Sequence, residues 1–530
     1  MDIVKQKNLR QMWDKLAQTY GDKTALIFED ISGNTCKYSY TKLNEEINRA
    51  ANLFLSLGIK KGDRVAIQLY NSPELLMNWF GLAKIGAIMV PINAHYLYDE
   101  CAYIVKKCEP KAVVIEKEFL SIYEKIGLDD EIFIKDILIT RLSNDHDSKH
   151  INFNEALKKE SSNLKTLIEV QSNDVSEILF TSGTTSFPKG VVITHYNMLF
   201  AGPYTSWQGS IKEDDIYLTV MPAWHIDFQC TAALPTFSSG ATLVLLEKYS
   251  ARKFWNQVCS YKATITECIP KIMCTLMMQP VKSWEKNHCL REVFYYLTLS
   301  NKDKDAFIER FNVRLLTSYG MTETIVGLIG DRPKEERRWP SIGRSGFGYE
   351  AKIIDENQNE VKPYEYGEIY VKGIPGKTIF KEYYNDIEST KKVLNKEGWL
   401  HTGDIGYVDE DGYFYFVDRQ SNLIKSAGEN VSSEEIENFL SSHPKIVEAA
   451  VIGIADKICC ELIKAFVIVK EGEDFSENEI IEYCYKNMAR FKVPTIVEKC
   501  KSLPRTSTGK VRKNVLRKNE KIESENKVGC

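Results

Sequence analysis

The segment Leu179–Gly190 contains residue types that together can bind phosphate groups. Its glycines let the backbone approach an anion closely, its hydroxyl side chains donate hydrogen bonds, and its lysine supplies a positive charge. The spacing differs from a Walker P-loop, because Lys189 precedes the last glycine. Composition alone would equally fit a flexible Ser/Thr-rich turn. The candidate phosphate-binding residues are Thr181, Ser182, Gly183, Thr184, Thr185 and Lys189.

Further segments along the chain carry ionisable or hydroxyl side chains at short spacings. They are Met221–His225, Ser318–Thr324, Trp399–Asp404, Val417–Arg419 and Pro504–Lys510. Taken singly, these residues have ordinary explanations. His225 would more often be a packed histidine, Glu323 a carboxylate at a helix start, and Lys510 a solvated loop charge. The order of the segments along one chain favours a shared function.

In this order the segments resemble the signature motifs of the adenylate-forming superfamily, which includes acyl-CoA synthetases, peptide-synthetase adenylation domains and luciferases. The resemblance covers nearly the whole chain. It implies that Tyr319 lies against adenine, Thr322 contacts the α-phosphate and Glu323 helps to hold magnesium. It also implies that Asp404 accepts hydrogen bonds from the ribose hydroxyls, with Arg419 beside it. ATP and Mg²⁺ are the expected ligands of these residues.

The resemblance implies a ligase reaction in two steps, with ATP and coenzyme A as co-substrates. In the first step a carboxylic acid attacks the α-phosphorus of ATP and pyrophosphate leaves. Lys510 is expected to bridge the two anions, and His225 to lie near the acyl group. In the second step the thiol of coenzyme A displaces AMP, and the segment around Gly428 is expected to approach the pantetheine arm. The small domain is expected to rotate between the steps.

Some positions depart from the usual pattern of the superfamily. Ser421 stands at the hinge position where aspartate or lysine is common, and Ala427 replaces the first glycine of the pantetheine-facing pair. Tyr295–Ser300 replaces a stretch that usually has small residues beside adenine. We still expect transfer of the acyl group to coenzyme A.

Segments outside the general motifs resemble bacterial ligases that couple crotonobetaine or carnitine to coenzyme A. These segments are Asn8–Asp14, Phe80–Asn93, Glu247–Arg252, Glu267–Pro270 and Gly330–Pro333. The resemblance implies carnitine, crotonobetaine or γ-butyrobetaine as the acid, and a CoA-transferase and a hydratase as pathway partners. A trimethylammonium group donates no hydrogen bonds, so aromatic faces and a carboxylate should hold it. The candidates are Asp227, Glu267, Trp224 and Tyr296, with Trp207 and Tyr295 as further aromatic side chains.

Three alternatives stay open at this point. A ligase for another short-chain carboxylic acid would share every catalytic motif. A carrier-protein ligase or a peptide-synthetase fragment would share them too, but few residues follow Lys510. A non-catalytic nucleotide-binding protein is expected to lack Lys510 or Glu323, and this chain has both.

The hydrophobic pattern predicts an α/β fold that positions these segments. Helices alternate with short apolar strands from the start of the chain. Thr41 is expected to cap a helix that stops at Gly58, and Pro73 to open another that ends near Gly86. This alternation is typical of parallel sheets covered by helices.

Several domains are expected for this length. We predict a large N-terminal lobe at 1–418 that holds two α/β sheet subdomains and a small β subdomain. A hinge at 419–421 and a smaller, mobile α+β C-terminal domain at 422–530 should follow. A charged tail from about Lys513 is expected to be frayed.

Composition narrows the function classes. The net charge of −4 over 530 residues gives no reason to expect a nucleic-acid partner or a membrane surface. The longest apolar runs, such as Gly86–Ile92, fall short of the roughly 20 residues that span a bilayer, so no membrane insertion is expected. The thirteen cysteines include no CxxC pair, and no secretory leader is recognised. We therefore expect a cytoplasmic protein.

Overall fold

The architecture comes from a computed structural model of the chain. It describes residues 3–5, 7–129, 132–142, 149–164, 166, 168–181, 188–296, 301–419, 422–426, 429–456, 460–474, 476–488, 490–505 and 510–528. Across these residues the strands gather into separate sheets, with helices packed between and outside them. None of the helices in these ranges has the length and apolar character needed to cross a membrane.

The helices of the described chain cover the faces of the sheets. Their bounds are Leu9–Tyr20, Tyr40–Ser56, Pro73–Ile85, Tyr98–Cys108, Leu120–Ile126, Phe153–Lys159, His195–Gln208, Leu234–Ser238, Ala251–Ser260, Pro270–Met277, Asn301–Phe311, Ile387–Val393, Ser433–Ser441, Glu477–Asn487 and Lys513–Val528. A π-helical segment, Phe228–Ala233, precedes one of them. Segments of this type often mark functional sites.

One sheet of the large lobe holds the strand that leads into the Tyr319 motif. Its strand order is Arg344–Ser345, Ile329–Gly330, Leu315–Tyr319, Glu292–Tyr295, Ile265–Cys268, Ile216–Thr219, Thr242–Leu246, Thr24–Glu29 and Thr35–Ser39. The inner strands pair in parallel, and Thr242–Leu246 is buried along its whole length. Burial on both faces is what continuous apolar runs in parallel sheets predict.

The second sheet holds the strands on either side of the phosphate-loop segment. Its strand order is Ile151–Asn152, Asp136–Thr140, Ala112–Glu116, Arg64–Gln68, Ile88–Pro91, Val175–Thr181 and Lys189–Thr194. The last two strands form an antiparallel pair in an otherwise parallel sheet. The expectation of two α/β sheets in the large lobe is confirmed.

Two smaller sheets complete the fold. The first has the order Glu350–Ile354, Gly367–Lys372, Trp399–Val408 and Phe414–Arg419, and all its pairs are antiparallel. The second has the order Glu429–Val431, Ile424–Ser426, Cys460–Val469 and Ile446–Asp456, with Ile496–Lys499 parallel to Cys460–Val469. The small β subdomain and the smaller α+β C-terminal domain are therefore confirmed.

Helix boundaries match the expectations at Pro73 and Gly86 but not at Thr41. The helix Pro73–Ile85 begins at that proline, and Gly86 ends it with a left-handed φ of 71°. The helix Tyr40–Ser56 is capped by Ser39, whose side chain accepts a hydrogen bond from the Lys42 amide. Thr41 already lies inside the helix, because Ser39 is the residue that keeps an extended backbone in front of it.

The predicted fraying of the chain after Lys513 is wrong. Residues Lys513–Val528 form a helix, and Leu516 packs against Ala450, Ile452 and Phe466. Lys464 Nζ lies 2.6 Å from Glu520 Oε1, which ties the helix to the sheet. The helix contacts the sheet through a single row of apolar side chains and an ion pair. Its hydrophobic periodicity is therefore too weak for the sequence to predict a packed helix.

Candidate active site

The phosphate-loop segment is closed by a pair of residues across a hairpin. Thr181 ends one strand and lies opposite Lys189, which begins the next. Lys189 Nζ lies 4.9 Å from the ring centroid of Tyr383. The strands thus hold a hydroxyl and an ammonium group at the base of the loop. The predicted binding residues Ser182, Gly183, Thr184 and Thr185 lie outside the described residues.

Glu323 is a buried carboxylate next to this hairpin. It lies in the short turn Thr322–Thr324 that follows the strand Leu315–Tyr319, and the Tyr383 hydroxyl donates a 2.7 Å hydrogen bond to its Oε1. Burial raises the pKa of Glu323, whereas the Tyr383 hydrogen bond and the charges of Arg419 and Lys189 lower it. The two motifs therefore meet at Tyr383.

The side chains of Glu323 and Lys189 fit a magnesium ion that is bound together with phosphates. Mg²⁺ is usually held by one or two carboxylates, water and substrate phosphate oxygens rather than by a full protein cage. The described residues contain no group of three or more His, Cys, Asp or Glu side chains that could hold a metal by themselves. Glu323, beside Lys189, offers the single carboxylate that this mode of binding needs.

Asp404 joins the Tyr319 motif to the small β subdomain. The Tyr319 hydroxyl donates a 2.7 Å hydrogen bond to its Oδ2, and Arg419 lies directly opposite Asp404 in the antiparallel pair. Arg419 Nε is 3.3 Å from Asp404 Oδ1, within ion-pair range, but that oxygen is buried without a hydrogen bond from the described chain. An acceptor oxygen therefore remains for a hydroxyl ligand such as ribose.

Lys510 reaches this site from the C-terminal domain. Its charge interacts with Asp404, Arg419, Glu434 and Asp227. The side chain of Lys510 is exposed to solvent, although many protein atoms surround its ammonium group. The resulting desolvation lowers the pKa of Lys510, and the charge of Arg419 lowers it further. The motif Pro504–Lys510 lies furthest along the sequence, and the fold therefore places its lysine close to the other motifs.

His225 lies at the other end of the cleft as a neutral ring. The amide of Asp227 donates a 3.2 Å hydrogen bond to His225 Nδ1. Burial, and secondly the charge of Lys510, lower the pKa of His225 to about 4. With Nδ1 accepting, the neutral ring carries its proton on Nε2 and can donate there.

Asp227 and Glu267 form an interacting pair of carboxyl groups beside His225, in which Glu267 is buried and Asp227 is half-buried. Glu267 accepts a hydrogen bond from the Thr219 hydroxyl and another of 3.4 Å from the Tyr217 hydroxyl. Burial is the main cause that raises the pKa of Asp227 to about 7 and that of Glu267 well above its usual range, and the Asp227 charge raises Glu267 further. Like charges in an apolar site favour a shared proton or a cation.

Of the aromatic candidates, the structure brings Tyr296 to this pair. The charges of Asp227 and Glu267 both act on Tyr296, whose ring lies 6.4 Å from Phe294. Trp224 is buried, 6.0 Å from the His95 ring. The remaining two candidates pack elsewhere: Trp207 lies 4.9 Å from Phe347, and Tyr295 lies 5.7 Å from Trp339.

Three residues of the site were missed by the sequence analysis. Tyr217 and Thr219 alternate on one face of a strand just before the Met221–His225 motif, and that period of two was an available signal. Tyr383 had no signal, because 60 residues separate it from Glu323. The positions Ser421, Ala427, Gly428 and 297–300 lie outside the described residues.

Known proteins match this sequence over nearly its whole length. Residues 13–384 match the AMP-binding enzyme family, and residues 435–510 match the AMP-binding enzyme C-terminal domain. A crotonobetaine/carnitine–CoA ligase of Proteus mirabilis is 58% identical over 517 residues, covering 97% of this chain and 100% of that protein. One from Salmonella paratyphi B is 57% identical over 517 residues, covering 98% and 100%.

Solved structures with the same fold include a CoA ligase. The anthranilate CoA ligase AuaEII in complex with anthranoyl-AMP gives a TM-score of 0.88 at 26% identity, covering 98% of each chain. ATP-bound MatB from Rhodopseudomonas palustris gives 0.86, and apo MatB gives 0.75, both at 26% identity and covering 97% of this chain and 99% of theirs. The overall structure here is thus more similar to the ATP-bound form. The chain belongs to the AMP-binding enzyme family, in the group of crotonobetaine/carnitine–CoA ligases.

Proposed function

We propose that this enzyme adenylates a betaine acid with ATP and transfers the acyl group to coenzyme A. The proposed acids are carnitine, crotonobetaine and γ-butyrobetaine. The observation that carries the proposal is the pair of a buried Glu267 and a half-buried Asp227, with Tyr296 beside it, at the end of the cleft that Lys510 reaches. A trimethylammonium group satisfies such a pair by charge and such a ring by cation–π attraction, without needing hydrogen bonds.

The first step brings two anions together, and the positive groups of the site reduce their repulsion. A carboxylate oxygen of the acid forms a bond to the α-phosphorus of ATP, and the bond from that phosphorus to the bridging oxygen of pyrophosphate breaks. We assign Lys510 to the carboxylate and α-phosphate oxygens, with Thr322 as a further donor to the α-phosphate. His225 donates from Nε2 toward the acyl group. No protein nucleophile takes part.

ATP is positioned by groups from three elements. We assign Asp404 to the ribose hydroxyls through its free Oδ1, with Arg419 beside it and the Tyr319 ring against adenine. Thr181 and Lys189 hold the β- and γ-phosphates together with Ser182, Gly183, Thr184 and Thr185 of the loop between them. Glu323 is the protein ligand for Mg²⁺, which neutralises phosphate charge when bound.

The second step forms the thioester. The sulfur of coenzyme A, as the thiolate, attacks the acyl carbon, and the bond to the AMP oxygen breaks. We propose that residues around Gly428, which follows the strand Ile424–Ser426 in the sequence and precedes its antiparallel partner Glu429–Val431, line the path of the pantetheine arm. For this, the C-terminal domain at 422–530 rotates about a hinge at 419–421 relative to the lobe at 1–418.

The product of the reaction indicates which enzymes would act with this one. A betaine acid held as a CoA thioester is the substrate type that a CoA-transferase or a hydratase of the same pathway would use, and we propose such enzymes as partners. We also propose a cytoplasmic location. It is supported by the free state of every cysteine whose side chain the structure describes.

Kinetics with two acids of the same shape test the betaine assignment. We compare crotonobetaine with its isostere in which a tert-butyl group replaces trimethylammonium, in wild type and in Glu267→Gln. The variant should raise the KM for crotonobetaine about tenfold or more, because a desolvated charge contact is lost. The KM values for ATP and for the isostere should stay within about twofold, because neither contacts the lost charge. Equal losses for both acids would overturn the assignment.

The same assay separates the alternatives. A ligase for another short-chain acid would prefer the neutral isostere to crotonobetaine in wild type. A non-catalytic nucleotide-binding protein would release no pyrophosphate with any acid. Pyrophosphate release without consumption of coenzyme A would indicate another acceptor.

A further inference from the structure

The C-terminal domain is joined to the large lobe through a buried carboxylate that the reaction scheme above does not use. Asp418 lies on the last strand of the small β subdomain, opposite Ile405, and is 1% exposed. It directly precedes Arg419, after which the chain passes into the C-terminal domain. Hydrogen bonds from the first helix of that domain, Ser433–Ser441, centre on Asp418.

The contacts occupy the start of that helix. Asp418 Oδ2 accepts hydrogen bonds from Ser433 Oγ at 2.8 Å, from Ser432 Oγ at 3.2 Å and from the amide of Glu434 at 3.1 Å. Oδ1 accepts from the amide of Arg419 at 2.7 Å. A negative charge at a helix N-terminus is favourable both for the free amides and for the helix dipole. One carboxylate thus binds several donors of the other domain.

The same contact continues to the segment that carries Lys510. Lys513, the first residue of the C-terminal helix, places its Nζ 2.6 Å from Ser433 Oγ and 2.7 Å from Glu437 Oε1. Ser433 therefore accepts from Lys513 while it donates to Asp418. This chain of contacts runs from the large lobe to a point three residues after Lys510.

The contact of Asp418 with the helix Ser433–Ser441 differs from ordinary helix capping, as another helix of the same domain shows. The helix Glu477–Asn487 is capped by Ser476, which accepts from the Glu479 amide at 3.2 Å, so the cap and the helix move together. The helix Ser433–Ser441 has a similar local cap in Ser432, which accepts from the Glu435 amide. Asp418 is an additional acceptor that belongs to the other domain, so its bonds depend on the domain orientation.

We propose that Asp418 is a positioning residue that holds the C-terminal domain, and with it Lys510, in the orientation for adenylation, and that thioester formation does not need this contact. The inference rests on the proposed function, in which the two steps use different domain orientations. It assigns to one carboxylate of the large lobe a role in the first step alone.

Two half-reactions measured on the same variants test the proposal. Pyrophosphate release from crotonobetaine and ATP reports adenylation, and CoA-thioester formation from the chemically prepared acyl-adenylate reports the second step. In Asp418→Asn, the rate of the first should fall about ten- to a hundredfold, as expected when hydrogen bonds to a buried charge are weakened. The second should stay within about twofold of wild type. Equal losses in both half-reactions would overturn the proposal, as would no loss in either.

Further variants keep the test decisive if Asp418→Asn folds poorly. Ser433→Ala removes a donor and also the link to Lys513, so it should slow adenylation selectively, by about tenfold. Combined with Asp418→Asn it should add little, since both act on one contact. Ser476→Ala is the matched control, and its two half-reactions should change equally or not at all. If Ser433→Ala also lowers both steps equally, Asp418 has only a structural role.

The acid used in the assay separates this proposal from the proposed substrate. If the wild type releases pyrophosphate only with another acid, the betaine assignment fails, and the Asp418 comparison is made with that acid and its adenylate. A selective loss of adenylation there would still support the positioning role.

Discussion

The hydroxyl group of Tyr319 donates a 2.7 Å hydrogen bond to Oδ2 of Asp404, which leaves Oδ1 of that buried carboxylate without a hydrogen bond from the described chain. The bond fixes the carboxylate in the orientation in which its second oxygen can accept from a ligand. In the proposed function, Tyr319 therefore acts on the nucleotide in two ways, with its ring and through Asp404.

Tyr319→Phe tests the second of these ways, because it keeps the ring and removes the hydroxyl. Loss of a hydrogen bond to a charged group costs about 1.5 to 3 kcal/mol, and part of this should appear as a KM for ATP raised about tenfold. The KM for the acid should not change. Steady-state pyrophosphate release at varied ATP measures both, and an equal rise in both values would contradict the role of the hydroxyl.

The Asp227 and Glu267 pair predicts a pH dependence that only a cationic substrate shows. Burial raises the pKa of Asp227 to about 7, so below that pH the pair holds an extra proton that a bound trimethylammonium must displace. The KM for crotonobetaine should therefore rise, by up to about tenfold per unit, as the pH falls below about 7, and level off above it. The affinity for crotonobetaine should therefore increase as the pH rises.

The groups around Asp227 and Glu267 determine which control the pH profile of KM requires. Asp227 faces the charge of Lys510 and the Thr231 hydroxyl, and Glu267 faces Tyr217, Thr219 and Asp227. The tert-butyl isostere shares the carboxylate and therefore any dependence that comes from Lys510. Parallel KM profiles for the two acids would contradict displacement of a proton by the cationic head.

Lys510→Ala should act on adenylation alone. Removing one donor from a charge-stabilising site costs about 10²- to 10³-fold in rate, and a loss of this size is expected for pyrophosphate release. Thioester formation from the prepared adenylate should be close to wild type, because the carboxylate and phosphate are no longer two separate anions. Lys499→Ala, at an exposed lysine of the same domain, is the control and should leave both rates unchanged. Loss of thioester formation in Lys510→Ala would require a second role for this lysine.

The dependence on magnesium should follow the Glu323 contacts. Glu323→Gln removes the carboxylate charge, and Tyr383→Phe removes only the 2.7 Å hydrogen bond that orients it. Such orienting partners typically change metal affinity by about 10- to 100-fold. The magnesium concentration for half-maximal pyrophosphate release should rise in both variants, and more in Glu323→Gln. A higher KM for the acid with unchanged magnesium dependence would contradict this assignment.

The sequence predicted the fold class, because the strands are continuously apolar. Its ordered motifs also named Tyr319, Asp404 and Arg419, which the structure brings together. It did not predict Tyr383 or Asp418, whose partners are far along the chain or are backbone amides that no motif marks. It offered Trp207 and Tyr295 as candidate aromatic side chains for the substrate, and in the structure their rings lie 4.9 Å from Phe347 and 5.7 Å from Trp339. Residue type indicates what a side chain can do, but tertiary packing decides where it points.

Formation of a betaine acyl-adenylate and then of a CoA thioester can be followed through the reaction products. The experiment identifies the products from crotonobetaine, ATP and Mg²⁺, first without and then with coenzyme A. We predict pyrophosphate with enzyme-bound crotonobetainyl-AMP in the first mixture, and AMP with crotonobetainyl-CoA after coenzyme A is added. ADP and phosphate as products, or no pyrophosphate from any of the three betaine acids, would contradict the account.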